Sequence, residues 1–296
     1  MKKVLLIPIL IILILAPLGA FGTKEAQDVN KKLTVVVSIL PHQFVVDQIG
    51  GQFVESLVLV GSGQSPHSYE PTPRQMALLS SADVWILSNT DFELSLVPKI
   101  KSLYPKLLIV DGTEGVNFRY LEDHSHGDED HFHSYMELDR HSWMGKEPMQ
   151  ILAKWVGSTL INLDPPNKNY YQANLDNYLN KIDSLFSKLE VELENLRGTS
   201  VLVYHPSFGY LLDEFEIEQK AIEMGGKEPT AKALSSLIEM ATKEQVKALF
   251  VQAQFPTSAA KNVAEAIGAA VIPIDPLAYN WFENIEQISS LLKETL

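Results

Sequence analysis

Three histidines and one aspartate occupy similar places in this chain. His67 follows the apolar run FVESLVLV, His205 ends TSVLVYH, and Asp275 ends AAVIPID, while His141 stands in the loop ELDRHSWMGKEP before an amphipathic stretch. If the apolar runs are strands of open α/β sheets, these side chains lie at the carboxyl ends of strands, where such sheets bind ligands. Two come from the first half of the chain and two from the second, so facing halves would let all four converge. Three imidazoles and a carboxylate suit a borderline divalent cation such as Zn²⁺; Mn²⁺ or Fe²⁺ accept the same set less favourably, and Ca²⁺ and Mg²⁺ prefer oxygen. A histidine at a strand end is also an ordinary hydrogen-bonding residue. Spacing alone leaves both readings open.

The segment around His67, SPHSYEPTPRQM, holds three prolines. Each fixes its own φ and biases the preceding residue toward extended backbone, so this is a stiff loop that packs for its own sake or aims an imidazole. Tyr69 and Glu70 either orient His67 or pack and cap the next helix. His42, in SILPHQF, either reaches the same cleft or simply begins a helix. The segment 122–133, EDHSHGDEDHFH, carries four of the eight histidines. It has no periodicity and reads as a polar loop, either a weak metal-capturing tract or a solvated linker. Trp85, Trp143 and Trp155 read as core.

Short β-branched runs alternate with helical patterns from Leu33 to about residue 112 and again from Thr199 to the end, the arrangement of α/β units with mostly parallel sheets. Between them, Tyr171, Leu175, Tyr178, Ile182, Leu185, Phe186, Leu189 and Leu196 recur at three- and four-residue steps. That is a helix with one apolar stripe, opened by Asp164-Pro165-Pro166 and closed by Gly198. The expected organisation is an N-terminal α/β lobe over 23–163, a long rigid linking helix over 164–198 and a C-terminal α/β lobe over 199–296. The two halves are candidates for distant copies of one unit.

Residues 1–22 have a positive start (Lys2, Lys3), an apolar core and small residues at Gly19, Ala20 and Gly22. This is the layout of a secretory signal peptide, cleaved after Ala20 or Gly22; an uncleaved anchor is the alternative. The chain has no cysteine. It therefore has no lipid-attachment residue, no disulfide and no thiolate metal ligand. A formal net charge of −13 argues against nucleic acid and anionic membranes as partners. The expectation is an exported, periplasmic, monomeric protein.

The sequence resembles the metal-specific periplasmic binding proteins of ABC importers, the TroA/ZnuA-like cluster that takes up zinc or manganese. The resemblance rests on VVVSILPHQFVVDQIGG, on SPHSYEPTPRQMALLSSADVWILSN with its Pro-His-x-Tyr-Glu-Pro-Thr-Pro signature, on DRHSWMG, on LDPPNKNYYQANLDNYLNKI, on VYHPSFGYLLDEFEIEQKAI and on VIPIDPLAYNW. It implies two α/β lobes joined by one rigid helix, with His67, His141 and His205 as metal ligands and Asp275 as the carboxylate. A histidine at 205, where manganese-type members tend to carry Glu, leans toward zinc, as does the His tract. Arg140 and Met144 depart from the usual Pro and Leu around His141, and Gln252 stands where Glu is common.

The implied function is a high-affinity periplasmic zinc receptor for an ABC importer, with the membrane permease and its cytoplasmic ATPase as partners. Mn²⁺ or Fe²⁺ is the alternative cargo. The rival class is a zinc hydrolase, since three histidines with an open fourth position also form a catalytic arrangement. No HExxH motif or positioned general base is visible. A surface adhesin is a third reading, opposed by the missing anchor residue.

Overall fold

The computed structural model describes residues 32–121, 138–223, 230–255 and 257–296. The signal-like segment and the His tract at 122–133 lie outside them.

The first lobe is built from four short parallel strands, β1 (Leu33–Val37), β2 (Val54–Val58), β3 (Val84–Leu87) and β4 (Leu108–Asp111), in the order β2-β1-β3-β4. Helices α1 (Leu40–Gly50), α2 (Pro73–Ser81) and α3 (Asp91–Leu103) make the crossovers. The strands are rich in Val and Ile, and β1 and β3 are buried on both faces, as parallel strands covered by helices must be. Pro73 starts α2 behind a capping box. Gln75 N donates to Thr72 Oγ1, and Thr72 N donates to Gln75 Oε1, so the polar side chains satisfy backbone donors that the helix start would leave unpaired.

The second lobe repeats this plan. Strands β5 (Ser200–Val203), β6 (Glu218–Ala221), β7 (Ala248–Gln252) and β8 (Ala270–Ile274) are parallel in the order β6-β5-β7-β8, with helices α6 (Gly209–Asp213), α7 (Ala231–Lys243), α8 (Thr257–Ile267) and α9 (Trp281–Thr295). The same strand order in both lobes is the counterpart of the suspected duplication. Strand β6 has the sequence EQKA. It escaped sequence reading because an edge strand needs little apolar surface.

Two helices lie between the lobes in sequence, α4 (Lys146–Leu163) and α5 (Lys168–Glu192). Single 3₁₀ turns flank α5 at Pro165–Asn167 and Glu194–Leu196, and Gly198, at φ +75°, turns the chain out into β5. The 25 residues of α5 give about 37 Å of rod. Its apolar stripe is buried from Tyr171 to Leu189. One end of the stripe meets the first lobe: Tyr178 packs on Phe44, and Asn174 Nδ2 donates to Ile49 O. The other meets the second, where Phe186 stacks on Phe215 and Trp281. One continuous core therefore runs through both lobes along this helix, and a smaller second core lies under α7 and α8.

Candidate metal centre

Each candidate ligand is delivered by a different connection. His67 comes from the proline-stiffened loop between β2 and α2. His141 immediately precedes a 3₁₀ turn, Ser142–Met144, that leads into α4. His205 stands two residues beyond β5. The three Nε2 atoms converge: His205 Nε2 lies 3.1 Å from His67 Nε2 and 3.1 Å from His141 Nε2, and one ligand atom of each ring falls within 4.8 Å of the other two. Tetrahedral zinc at about 2.0–2.1 Å from imidazole nitrogens spaces them about 3.3–3.4 Å apart. Two of the three separations are already close to that.

The outward nitrogens are all held by carboxylates. His67 Nδ1 bonds Asp91 Oδ2 at 2.6 Å, His141 Nδ1 bonds Asp139 Oδ1 at 2.8 Å, and His205 Nδ1 bonds Glu223 Oε2 at 2.8 Å. Because an ionised carboxylate only accepts, each Nδ1 donates, and each Nε2 is left with its lone pair facing the other two. Three lone pairs aimed at one point repel unless a cation lies between them. Carboxylates behind ligating imidazoles fix the tautomer and raise ligand basicity.

Burial grades the three. His141 and His205 are buried and His67 is exposed. Burial lowers the pKa of His205 to about 4, against the opposing hydrogen bond that the ring donates to Glu223, and this burial keeps the ring neutral and ready to bind. Asp139 is wholly buried. That burial pushes its carboxyl upward, but hydrogen bonding and charge from His141 and the Arg119 guanidinium outweigh it, and the group sits below the usual carboxylate range. Arg119 Nη1 binds Asp139 Oδ2 at 2.8 Å and Arg119 Nε binds Asp213 on α6 at 2.9 Å. Tyr210 OH accepts from Arg119 N and donates to Asp139 O. The His141 carboxylate is thus fastened to the second lobe.

His205 is fixed at its backbone as well. Gln252 is fully buried; its Oε1 accepts from His205 N, and its Nε2 donates to His205 O and Ser207 Oγ. A glutamine suits this position because an ionised carboxylate could not donate to the His205 carbonyl. Phe255 stacks on the His205 ring with centroids 4.6 Å apart.

Asp275 is not among the converging three. Its Oδ1 accepts from Gln254 Nε2 at 2.7 Å and Leu277 N at 2.9 Å, and its Oδ2 takes no hydrogen bond among the described residues. Its loop is tied to the site by Trp143, whose ring lies 5.3 Å from His141 and whose Nε1 donates to Pro276 O. His42 is also outside the cluster. It is buried with Nδ1 on Ser88 Oγ at 2.8 Å, and burial lowers its pKa to about 3. Tyr69 and Glu70, considered above as partners of His67, do not hold its Nδ1; Asp91 does. Trp85 and Trp143 are core, and half-buried Trp155 donates to Glu114 O.

Sequence reading missed Asp91, Asp139 and Glu223. Asp139 was within reach as the Asp-x-His of LDRH. Asp91 and Glu223 lie just beyond the ends of β3 and β6, so the strand-end rule that picked the histidines covers them too.

Two parallel-sheet lobes on a long helix, with three imidazoles from both lobes facing one point, define a metal-specific substrate-binding protein. The chain belongs to the family described as zinc-uptake complex component A, periplasmic, which it matches over residues 35–295. Among solved structures, a crystal structure of ZnuA superposes with a TM-score of 0.82 and 32% identity, covering 90% of this chain and 99% of that one. The high-affinity zinc uptake system protein ZnuA of Bacillus subtilis (strain 168) is 26% identical over 87% of this chain and 82% of its own length. The zinc-binding lipoprotein AdcA of Streptococcus pneumoniae (strain ATCC BAA-255 / R6) is 26% identical over 90% of this chain, which spans 54% of that longer protein. Among the described residues, no helix is long and apolar enough to cross a membrane.

Proposed function

We propose that this protein is a high-affinity zinc receptor that presents Zn²⁺ to an ABC importer, with His67, His141 and His205 as its ligands and Asp275 Oδ2 as the group that completes the sphere. One observation carries this reading: three Nε2 lone pairs face one another while every Nδ1 is spent on a carboxylate. The ion is cargo, so the site must bind and also release. Mn²⁺ fits the same family, but an all-imidazole triad suits zinc better at equal availability. Export to the periplasm through residues 1–22, lobe limits at 163/164 and 198/199, a monomeric state and docking on a membrane permease complete the proposal.

Titration of the metal-free protein with zinc, read by calorimetry, is expected to give one tight site per chain. That affinity should weaken as pH falls toward about 4, where the buried His205 ring takes up a proton. His67→Ala, His141→Ala and His205→Ala together should abolish binding without loss of the circular-dichroism spectrum. A protein with no stoichiometric zinc site would refute the reading. A hydrolase needs an open metal position or a free base beside the metal; the carboxylates of Asp91, Asp139 and Glu223 are engaged by the three rings, and with Asp275 Oδ2 as fourth ligand neither remains, so holo-protein is expected to show no turnover of ester or phosphoester substrates.

A further inference from the structure

Arg140 immediately precedes His141. In this chain its guanidinium joins two parts of the site. Arg140 Nε binds Asp91 Oδ1 at 3.1 Å, while the other oxygen of Asp91 holds His67 Nδ1. Arg140 Nη1 also donates to Asn89 Oδ1 at 2.7 Å and Asn89 O at 3.2 Å. Asn89 has φ +56°, a left-handed conformation that Asn tolerates better than most residues. The arginine therefore fixes the whole β3–α3 turn, Ser88–Asp91, and with it the carboxylate behind His67. Being covalently next to His141, it couples two ligands that lie 74 positions apart in the sequence.

This clamp differs from the other two. The side chains of Asp139 and Glu223 are 0% and 4% exposed, so water does not compete for His141 and His205. The side chains of His67 and Asp91 are 33% and 42% exposed. An exposed charge-assisted pair is weak unless its geometry is fixed by other bonds. Among the described residues, Arg140 and the Asn89 turn supply that here.

We propose that Arg140 is a positioning residue that, through Asp91, holds His67 against the metal and so sets the rate at which zinc leaves. The inference rests on the zinc reading above. It predicts a sign opposite to simple electrostatics, because deleting a positive charge near a dication should by itself tighten binding and slow release.

The test is zinc release from the holo-protein into excess chromogenic chelator, followed by stopped flow. Loss of a group that orients a ligand costs about 10–100-fold in metal affinity. Arg140→Ala is therefore expected to release zinc about 10-fold faster, with Arg140→Lys in between, since Lys keeps the charge but not the forked donors. Asn89→Gly keeps the backbone conformation and Arg140's charge while removing the side-chain anchor. It should also release faster, though by less. In an Asp91→Asn background, Arg140→Ala should add nothing further. Unchanged or slower release in Arg140→Ala, a silent Asn89→Gly, or full additivity with Asp91→Asn would each overturn the clamp while leaving the zinc site standing. Absence of bound zinc in the wild-type protein would overturn the zinc reading and the clamp together.

Discussion

His205 and His141, 64 residues apart in sequence and supplied by different lobes, place their Nε2 atoms 3.1 Å from each other. Neither ring can turn away, because each Nδ1 is anchored to a buried carboxylate. The contact is stable as drawn only when something positive lies between the two lone pairs. This one relationship is what the zinc reading proposed above rests on at the boundary between the lobes.

The two buried carboxylates should separate by function. Glu223 holds the His205 ring, whereas Asp139 holds both His141 and Arg119. Glu223→Gln is expected to weaken zinc binding about 10–100-fold with little change in apo-protein melting. Asp139→Asn should show a similar affinity loss plus about 2 kcal/mol of destabilisation, because the charge-assisted bond to the largely buried Arg119 guanidinium is weakened while Asp213 still pairs with it. Calorimetric titration and urea unfolding on both variants check this.

Gly209, at the start of α6, is where Arg119 lies. A Cβ there would fall 1.4 Å from Arg119 Nη1. Gly209→Ala should push the guanidinium off Asp139 and so loosen His141. The expected result is a melting temperature lower by several degrees and weaker zinc binding. An Arg119→Ala, Gly209→Ala double variant should be no worse than Arg119→Ala alone, because the clash partner is gone.

Stability of the metal-free protein should peak near pH 7. Burial holds His42 at about 3 and His205 at about 4, both below the ordinary 6.5. Below pH 6.5 the unfolded chain takes up protons at these rings while the folded chain does not, so stability falls as pH drops toward 4 and then 3. Glu93 works in the opposite direction. Burial raises it from 4.5 to about 7, so it costs stability as pH rises between those values. Two rings against one carboxyl leave a net loss on the order of 1 kcal/mol per pH unit between pH 6.5 and pH 5. Urea unfolding with a chelator present, at pH 5, 6.5 and 8, measures it.

Trp143 should report the metal. It is buried, its ring lies 5.3 Å from His141, and it is tied at both ends, to Pro276 O through Nε1 and from Trp281 Nε1 through its carbonyl. Zinc is expected to change tryptophan emission in the wild type. Trp143→Phe should abolish most of that change and, by releasing the Asp275 loop, lower zinc affinity.

What could be read from the sequence was what depends on local periodicity. Alternating β-branched and amphipathic runs, the stripe from Tyr171 to Leu189 and the strand-end positions of His67, His205 and Asp275 all follow from side-chain period and turn chemistry over a few residues. Zero cysteines limited any metal site to nitrogen and oxygen ligands. The family resemblance pointed to the ligand set proposed above, and the Pro-His-x-Tyr-Glu-Pro-Thr-Pro loop was its most specific part. Strand β6 was not legible, because EQKA carries no apolar pattern. The tertiary structure decided which groups meet. Nothing local in the sequence pairs Asp91 with His67, Glu223 with His205 or Arg140 with Asp91, since each pair is brought together by strand order and by the packing of both lobes on one helix. The same packing buries two of the three imidazoles and leaves the third at the surface, and burial relative to neighbours in space is not a property that a one-dimensional pattern holds.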